Sequence, residues 1–166
     1  MKPRLFGFSA AIIVLILDQL AKWAVVGPLK LQWVEQIYVL PIFNLTWVQN
    51  FGISLGYLNA HTEIGRWMLV GVTAAIAIGV FVWILLEKNR YEQIAIGMIL
   101  GGALGNIFDR VRHGYVVDFL DLHFGTFRPF LVFNVGDAAI SIGVAILLLR
   151  AFLVRHEKPE ESLDHA

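Results

Sequence analysis

The chain contains no cysteine, which excludes a disulfide framework, a thiolate nucleophile and a thiolate metal site. It is also poor in charge: Asp, Glu, Lys and Arg make up 16% of its 166 residues, where average soluble domains carry about 25%. Acidic and basic residues balance at 13 each, so no global excess points to nucleic acid or to an acidic partner. The five histidines, His61, His113, His123, His156 and His165, form no HExxH motif and no i,i+4 pair. Each falls in an expected loop or tail, and no metal or other cofactor is expected. What dominates is apolar: 58% of the residues are hydrophobic and the mean hydropathy is +0.70, a membrane composition.

A spanning helix needs about 20 mostly apolar residues. Four stretches qualify, at residues 5–26, 67–86, 93–111 and 134–154, the third strongly apolar only as far as Phe108. The first follows Lys2 and Arg4 as a signal peptide would, but it carries Asp18 and Lys22 and lacks a small-x-small cleavage site, so it reads as a permanent helix. Four spans leave both ends on one side. Lys2, Arg4, Lys88, Arg90, Arg150, Arg155 and Lys158 flank that side, against Lys30, Arg66, Arg112 and Arg128 on the other, which predicts cytoplasmic termini. Residues 156–166 are polar, contain proline and are expected to be disordered. In the segment 27–66, "QIYVLPIFNLTWVQN" alternates apolar and polar positions and predicts a few short strands. Trp33, Tyr38 and Trp47 suit the headgroup level. The expected fold is an all-α integral membrane protein: one membrane domain over residues 1–166, with four transmembrane helices, a small extracytoplasmic β-sheet and a short interfacial helix.

Gly97, Gly101 and Gly105 recur every four residues with Gly102 beside them, a stripe that lets a neighbouring helix approach closely. Asp18 and Lys22 share a face of the first span and lower each other's cost near lipid. Asn106, Asp109 and Arg110 lie at the end of the third span, Asn134, Asp137 and Ser141 form a stripe on the fourth, and Asp118, Asp121 and Asn50 fall at the same depth. Helix capping explains Asn134 but not readily Asp137. Two carboxylates brought close in a poorly hydrated place share a proton and can act as acid and base. An ion or proton pathway, with carboxylates as relay sites, remains an alternative. So does a scaffold whose polar residues only fasten helices together.

The motifs "LDQLAKW", "VQNFGISLG", "GGALGNIFDR", "GYVVDFLDLHF" and "FNVGDAAISIG" occur in this order from the first span to the fourth. In these the chain resembles the lipoprotein signal peptidase (signal peptidase II) family, aspartyl proteases of the bacterial inner membrane. The resemblance implies removal of signal peptides from prolipoproteins, on the N-terminal side of a diacylglyceryl-modified cysteine, near the extracytoplasmic face. It implies a catalytic pair of Asp118 and Asp137 and leaves Asp121 outside it. By the same motifs Asn50, Gly52, Asn106, Arg110 and Asn134 would line the site, and Asp18, Lys22 and Asp109 would support the fold. Membrane lipid, the lipidated substrate and the inhibitor globomycin are the implied partners, and a bundle of this size is expected to act as a monomer. One departure is Gly136, where the family usually has Ala; a glycine costs roughly 1 kcal/mol of helix preference and is expected to loosen the first turn of the fourth helix. Ile and Leu in "NFGISLG" replace residues that are commonly small or aromatic.

Overall fold

The computed structural model describes residues 4–52, 54–55, 58–59 and 62–154. The expected tail at 156–166, and with it His156 and His165, lies outside the described residues, as does His61. In chain order the elements are α1 (Arg4–Val26), α2 (Leu31–Val34), β1 (Gln36–Leu40), β2 (Phe43–Asn50), β3 (Ser54–Leu55), β4 (Leu58–Asn59), α3 (Glu63–Leu86), α4 (Arg90–His113), β5 (Val116–Leu122) and α5 (Val135–Val154). The four long helices are each long and apolar enough to cross a membrane, and α2 is a four-residue helix between α1 and the sheet.

Helix ends follow local capping rather than hydropathy. Helix α3 begins at Glu63, four residues before the first expected position: the Thr62 hydroxyl accepts the Gly65 N–H at 3.1 Å, and Glu63 sits favourably in the first turn. Asn89 starts α4 by accepting the Tyr91 N–H at 2.9 Å. Gly114, at φ 85°, ends it in a left-handed conformation suited to glycine. His113, expected in a loop, therefore belongs to the last turn of α4.

Helix α4 is the centre of the bundle, and its glycines are the reason. A Cβ at Gly97 would run into the backbone carbonyl of Gly7, and one at Gly101 into that of Ala11, so this face lies against α1. A Cβ at Gly102 would meet the carbonyl of Gly136, so the neighbouring face lies against α5. Gly136 answers in kind: its own Cβ would stand 3.0 Å from the Gly102 oxygen and 3.1 Å from Asn134 Oδ1. The missing methyl is thus used for close approach of α5 to α4, and the first turn is held by other contacts described below. Gly97→Val is expected to lower stability by about 2–3 kcal/mol, because the clash is with backbone that cannot rotate away. Gly79→Ala, with nothing within 4 Å of the added atom, is expected to leave the melting temperature unchanged or higher, both read by thermal unfolding in detergent.

The sheet runs β1-β2-β5, antiparallel throughout. The first two strands come from the segment where strands were expected; β5 is an addition, formed directly after α4. Its sequence VVDFLDL is buried almost throughout: Val117 and Phe119 pack with Val25 and Leu31, and strands covered on both sides lose clean alternation. Trp33 and Tyr38 are 79% and 81% exposed. Trp47 packs edge-on against Tyr115, with ring centroids 6.5 Å apart.

Candidate active site

At the sheet end of the bundle, three structural devices bring polar side chains to one place. Strand β5 carries Asp118 opposite Val48 of β2. The backbone of Phe133 then bonds to β5, its N–H to the Leu120 carbonyl at 3.1 Å and its carbonyl to the Leu120 N–H at 2.8 Å. That bridge delivers Asn134, the residue just before α5, to the side of Asp118. Asn134 Nδ2 donates to Asp118 Oδ1 at 2.6 Å and to Asn106 Oδ1 at 3.1 Å. Asn106, from α4, in turn donates through Nδ2 to Asp137 Oδ1 at 2.8 Å. Asp118 and Asp137 are therefore joined by a chain of two amides.

Asn134 and Asp137 also form a reciprocal cap. Asn134 Oδ1 accepts the Asp137 N–H at 2.8 Å, and Asp137 Oδ2 accepts the Asn134 N–H at 3.2 Å, the arrangement of a capping box with Asp in the acidic position. Capping thus accounts for one oxygen of Asp137, which the sequence pattern alone did not suggest. The other oxygen faces Asn106 and the site.

Asn50 closes the arrangement from β2, donating to Asp118 Oδ2 at 2.9 Å while its own Oδ1 accepts the Gly52 N–H at 2.8 Å. Gly52, at φ 96°, permits the turn that aims the Asn50 amide. Arg110 stands near with its charge felt by Asp137, Asp118 and Asp109. Its Nε is buried without a hydrogen-bond partner among the described residues.

Burial pushes the Asp118 carboxyl up to about 6. The hydrogen bond from Asn50 opposes that rise, the nearby charge of Asp137 adds to it, and Asn134 and Lys22 oppose it more weakly. Asp121, three residues on, has the opposite fate. Burial pushes it up, but hydrogen bonds from Arg128 (3.0 and 3.1 Å) and Thr46 (2.9 Å), with the charge of Arg128, hold it below the usual carboxylate range. The two aspartates of "VVDFLD" are thus separated in space and in chemistry.

Behind the site lies a buried ionic cluster. Lys22 Nζ is 2.8 Å from both Asp18 Oδ2 and Asp109 Oδ2, so Asp18 and Lys22 are partners as expected, but Asp109 is a second partner of equal distance. Gln19, which the motif reading passed over, donates to Asp18 Oδ2 at 3.1 Å and to Asp109 Oδ1 at 3.0 Å. Its signal was a polar amide next to Asp18 inside an otherwise apolar span. Ser141 is exposed and lines an open hollow of about 300 Å3, together with Phe130, Leu131, Phe133, Asp137, Ala138 and Ile142. Among the described residues no three His, Asp or Glu side chains converge as metal ligands would.

Four helices apolar and long enough to cross a membrane, with a small sheet whose last strand carries buried carboxylates, describe a membrane protein. The chain matches the family described as Signal peptidase (SPase) II over residues 10–153. It is 54% identical to a lipoprotein signal peptidase of Rhizorhabdus wittichii, covering 97% of this chain and 94% of that protein. It is 52% identical to one of Sphingopyxis alaskensis, covering 90% and 86%. Among solved structures, a bacterial membrane enzyme determined by the in meso method at 2.3 Å resolution superposes with a TM-score of 0.78 at 28% identity, covering 95% of this chain and 94% of that one. The chain belongs to the signal peptidase II family. Membership makes it a protease of the bacterial inner membrane that removes signal peptides from prolipoproteins.

Proposed function

We propose that the protein is an aspartic endopeptidase that cuts prolipoproteins on the N-terminal side of a diacylglyceryl-modified cysteine, with Asp118 and Asp137 as the catalytic pair. The observation that carries this reading is the amide chain Asp118–Asn134–Asn106–Asp137, which ties together two carboxylates from separate elements. Asp118, with its raised pKa, holds a proton and polarises the scissile carbonyl, while Asp137 takes a proton from the attacking water. The proton then passes to the leaving amine, the division of labour that aspartic proteases use. Asn50, Asn106 and Asn134 fix the carboxylates, Gly52 fixes Asn50, and Arg110 supplies a cation for substrate carbonyl oxygens.

The substrate reaches the site sideways from the lipid. The hollow beside Asp137 is mostly apolar and adjoins Ile142, which is exposed on α5, so an acyl chain or signal-peptide side chain can lie there without leaving an apolar environment. Binding energy from such remote groups can be used to orient the scissile bond. The basic residues at the two ends of the bundle favour cytoplasmic termini, which puts the site at the extracytoplasmic face. Globomycin would compete for the same place, and a monomer contains the whole site.

The test is cleavage by the purified protein in detergent, read as a gel shift, of a diacylglyceryl prolipoprotein and of its unmodified counterpart. Cleavage of the lipidated form alone is expected, and it should be blocked by globomycin. Equal cleavage of both would rule out the lipid requirement, and cleavage of neither would rule out the activity.

The pH dependence carries a sign. Because Asp118 loses its proton near pH 6, kcat/KM is expected to fall on the alkaline side with a midpoint near that value. The midpoint in kcat should be higher, since bound substrate excludes more water from Asp118. Asn50 donates to the ionised form, so its loss favours the protonated form: Asn50→Ala should move the alkaline midpoint up by about one unit, whatever it does to the maximal rate. A midpoint that stays or falls would contradict the assignment.

A further inference from the structure

The ionic cluster of Asp18, Lys22 and Asp109 touches the rest of the chain at telling points. Asp18 Oδ1 accepts the backbone N–H of Gly136 at 2.9 Å, the residue immediately before Asp137. Asp109 Oδ2 accepts the backbone N–H of Val117 at 3.1 Å, the residue immediately before Asp118. Lys22 bridges the two carboxylates and donates to Asn106 Oδ1 at 3.2 Å. A cluster that only fastened α1 to α4 could end on any polar group of those helices. This one grips the peptide that leads into each of the two aspartates.

The grip is stiff for identifiable reasons. Asp18, Lys22 and Asp109 are 0%, 4% and 2% exposed, and hydrogen bonds to charged groups are short and strong where water is excluded. Gln19 braces the same two carboxylates from the side. At Gly105 the α4 backbone comes so close that a Cβ would strike the Asp18 carboxylate, and Gly136 brings α5 close to α4. The backbones carrying Asp118 and Asp137 are therefore indexed to one ammonium group.

Resting on the aspartic-protease reading above, we propose that Asp18, Lys22 and Asp109 are positioning residues that set the spacing of Asp118 and Asp137, beyond any support they give to the fold. Proximity catalysis is steep in geometry, and a misplacement of about 1 Å can cost about 100-fold.

The experiment measures kcat, KM and melting temperature with the lipidated prolipoprotein for Asp18→Leu and Asp109→Leu, which fill similar volume without an acceptor, and for Asp18→Asn and Asp109→Asn, which keep an oxygen for the backbone N–H. All assays are run well below the lowest melting temperature. The Leu variants are expected to lose about 100-fold in kcat with KM within about threefold of wild type, and the Asn variants to lose only about tenfold. Folded Leu variants with wild-type kcat, or Asn variants as impaired as the Leu ones, would overturn the proposal. Should the Leu variants not fold, the Asn variants decide: a lowered kcat at unchanged KM supports positioning, whereas wild-type kcat and KM with only a lower melting temperature refutes it. The wild type in the same assay separates the two readings. Its failure to cleave would remove the peptidase assignment, while an active wild type with equally active variants would remove only the positioning role.

Discussion

Asp118→Asn and Asp137→Asn are each expected to lose at least about 1,000-fold in kcat, the range of general acid–base catalysis, while remaining folded by circular dichroism and melting temperature. Either substitution keeps the shape of the side chain and removes the ability to share a proton. In Asp118→Asn the new amide group must also face Asn50 Nδ2 or Asn134 Nδ2, both of which donate to Asp118 in the native arrangement, so two donors meet and one amide has to turn. In Asp137→Asn the capping contact to the Asn134 N–H can survive through the remaining oxygen, which is why folding should hold. The double variant should be no worse than either single one, because the two carboxylates act as a unit. Asp121→Asn is the control: its carboxylate is occupied by Arg128 and Thr46, and cleavage should stay in the same order of magnitude as wild type. Near-normal cleavage by either dyad variant, measured by gel shift on the lipidated prolipoprotein, would sink the mechanism.

What the sequence made legible was whatever depends on composition and helical spacing. The four spans follow from runs of apolar residues, and the glycine stripe at 97, 101 and 105 implied a close helix contact that proves to be the α1–α4 crossing. The missed pieces share a cause: they depend on contacts between segments remote in the chain. Strand β5 was not expected because its pairing with β2 and the Phe133 bridge leave no local period to read. Asp109 was counted as a neighbour of Asn106 and Arg110 on one helix, yet its main partners are Lys22 of α1 and the N–H of Val117. Asp118 and Asp121 could be told apart from sequence only through the motif resemblance. In three dimensions the difference is physical: one carboxylate is held by neutral amides, the other by an arginine.

Lys22→Met is expected to destabilise the protein by about 3–5 kcal/mol, the range found when one partner of a buried ion pair is removed, measured by equilibrium unfolding in mixed detergent. The methionine nearly fills the space but leaves Asp18 and Asp109 buried with no cation between them, and Gln19 alone cannot satisfy both. If the uncompensated charge is the cause, removing it should repair the loss. The triple variant Asp18→Asn/Lys22→Met/Asp109→Asn should recover most of the stability, since a neutral set in place of a buried ionic one is often close to neutral in free energy. Its rate should not recover in the same way. The oxygens facing Gly136 and Val117 are then no longer drawn together by a common ammonium, so the spacing of Asp118 and Asp137 loses its reference even in a stably folded chain. A triple variant as unstable as Lys22→Met would mean that packing, not charge, dominates the cluster. One that regained both stability and kcat would show that the ammonium contributes nothing to the site it supports.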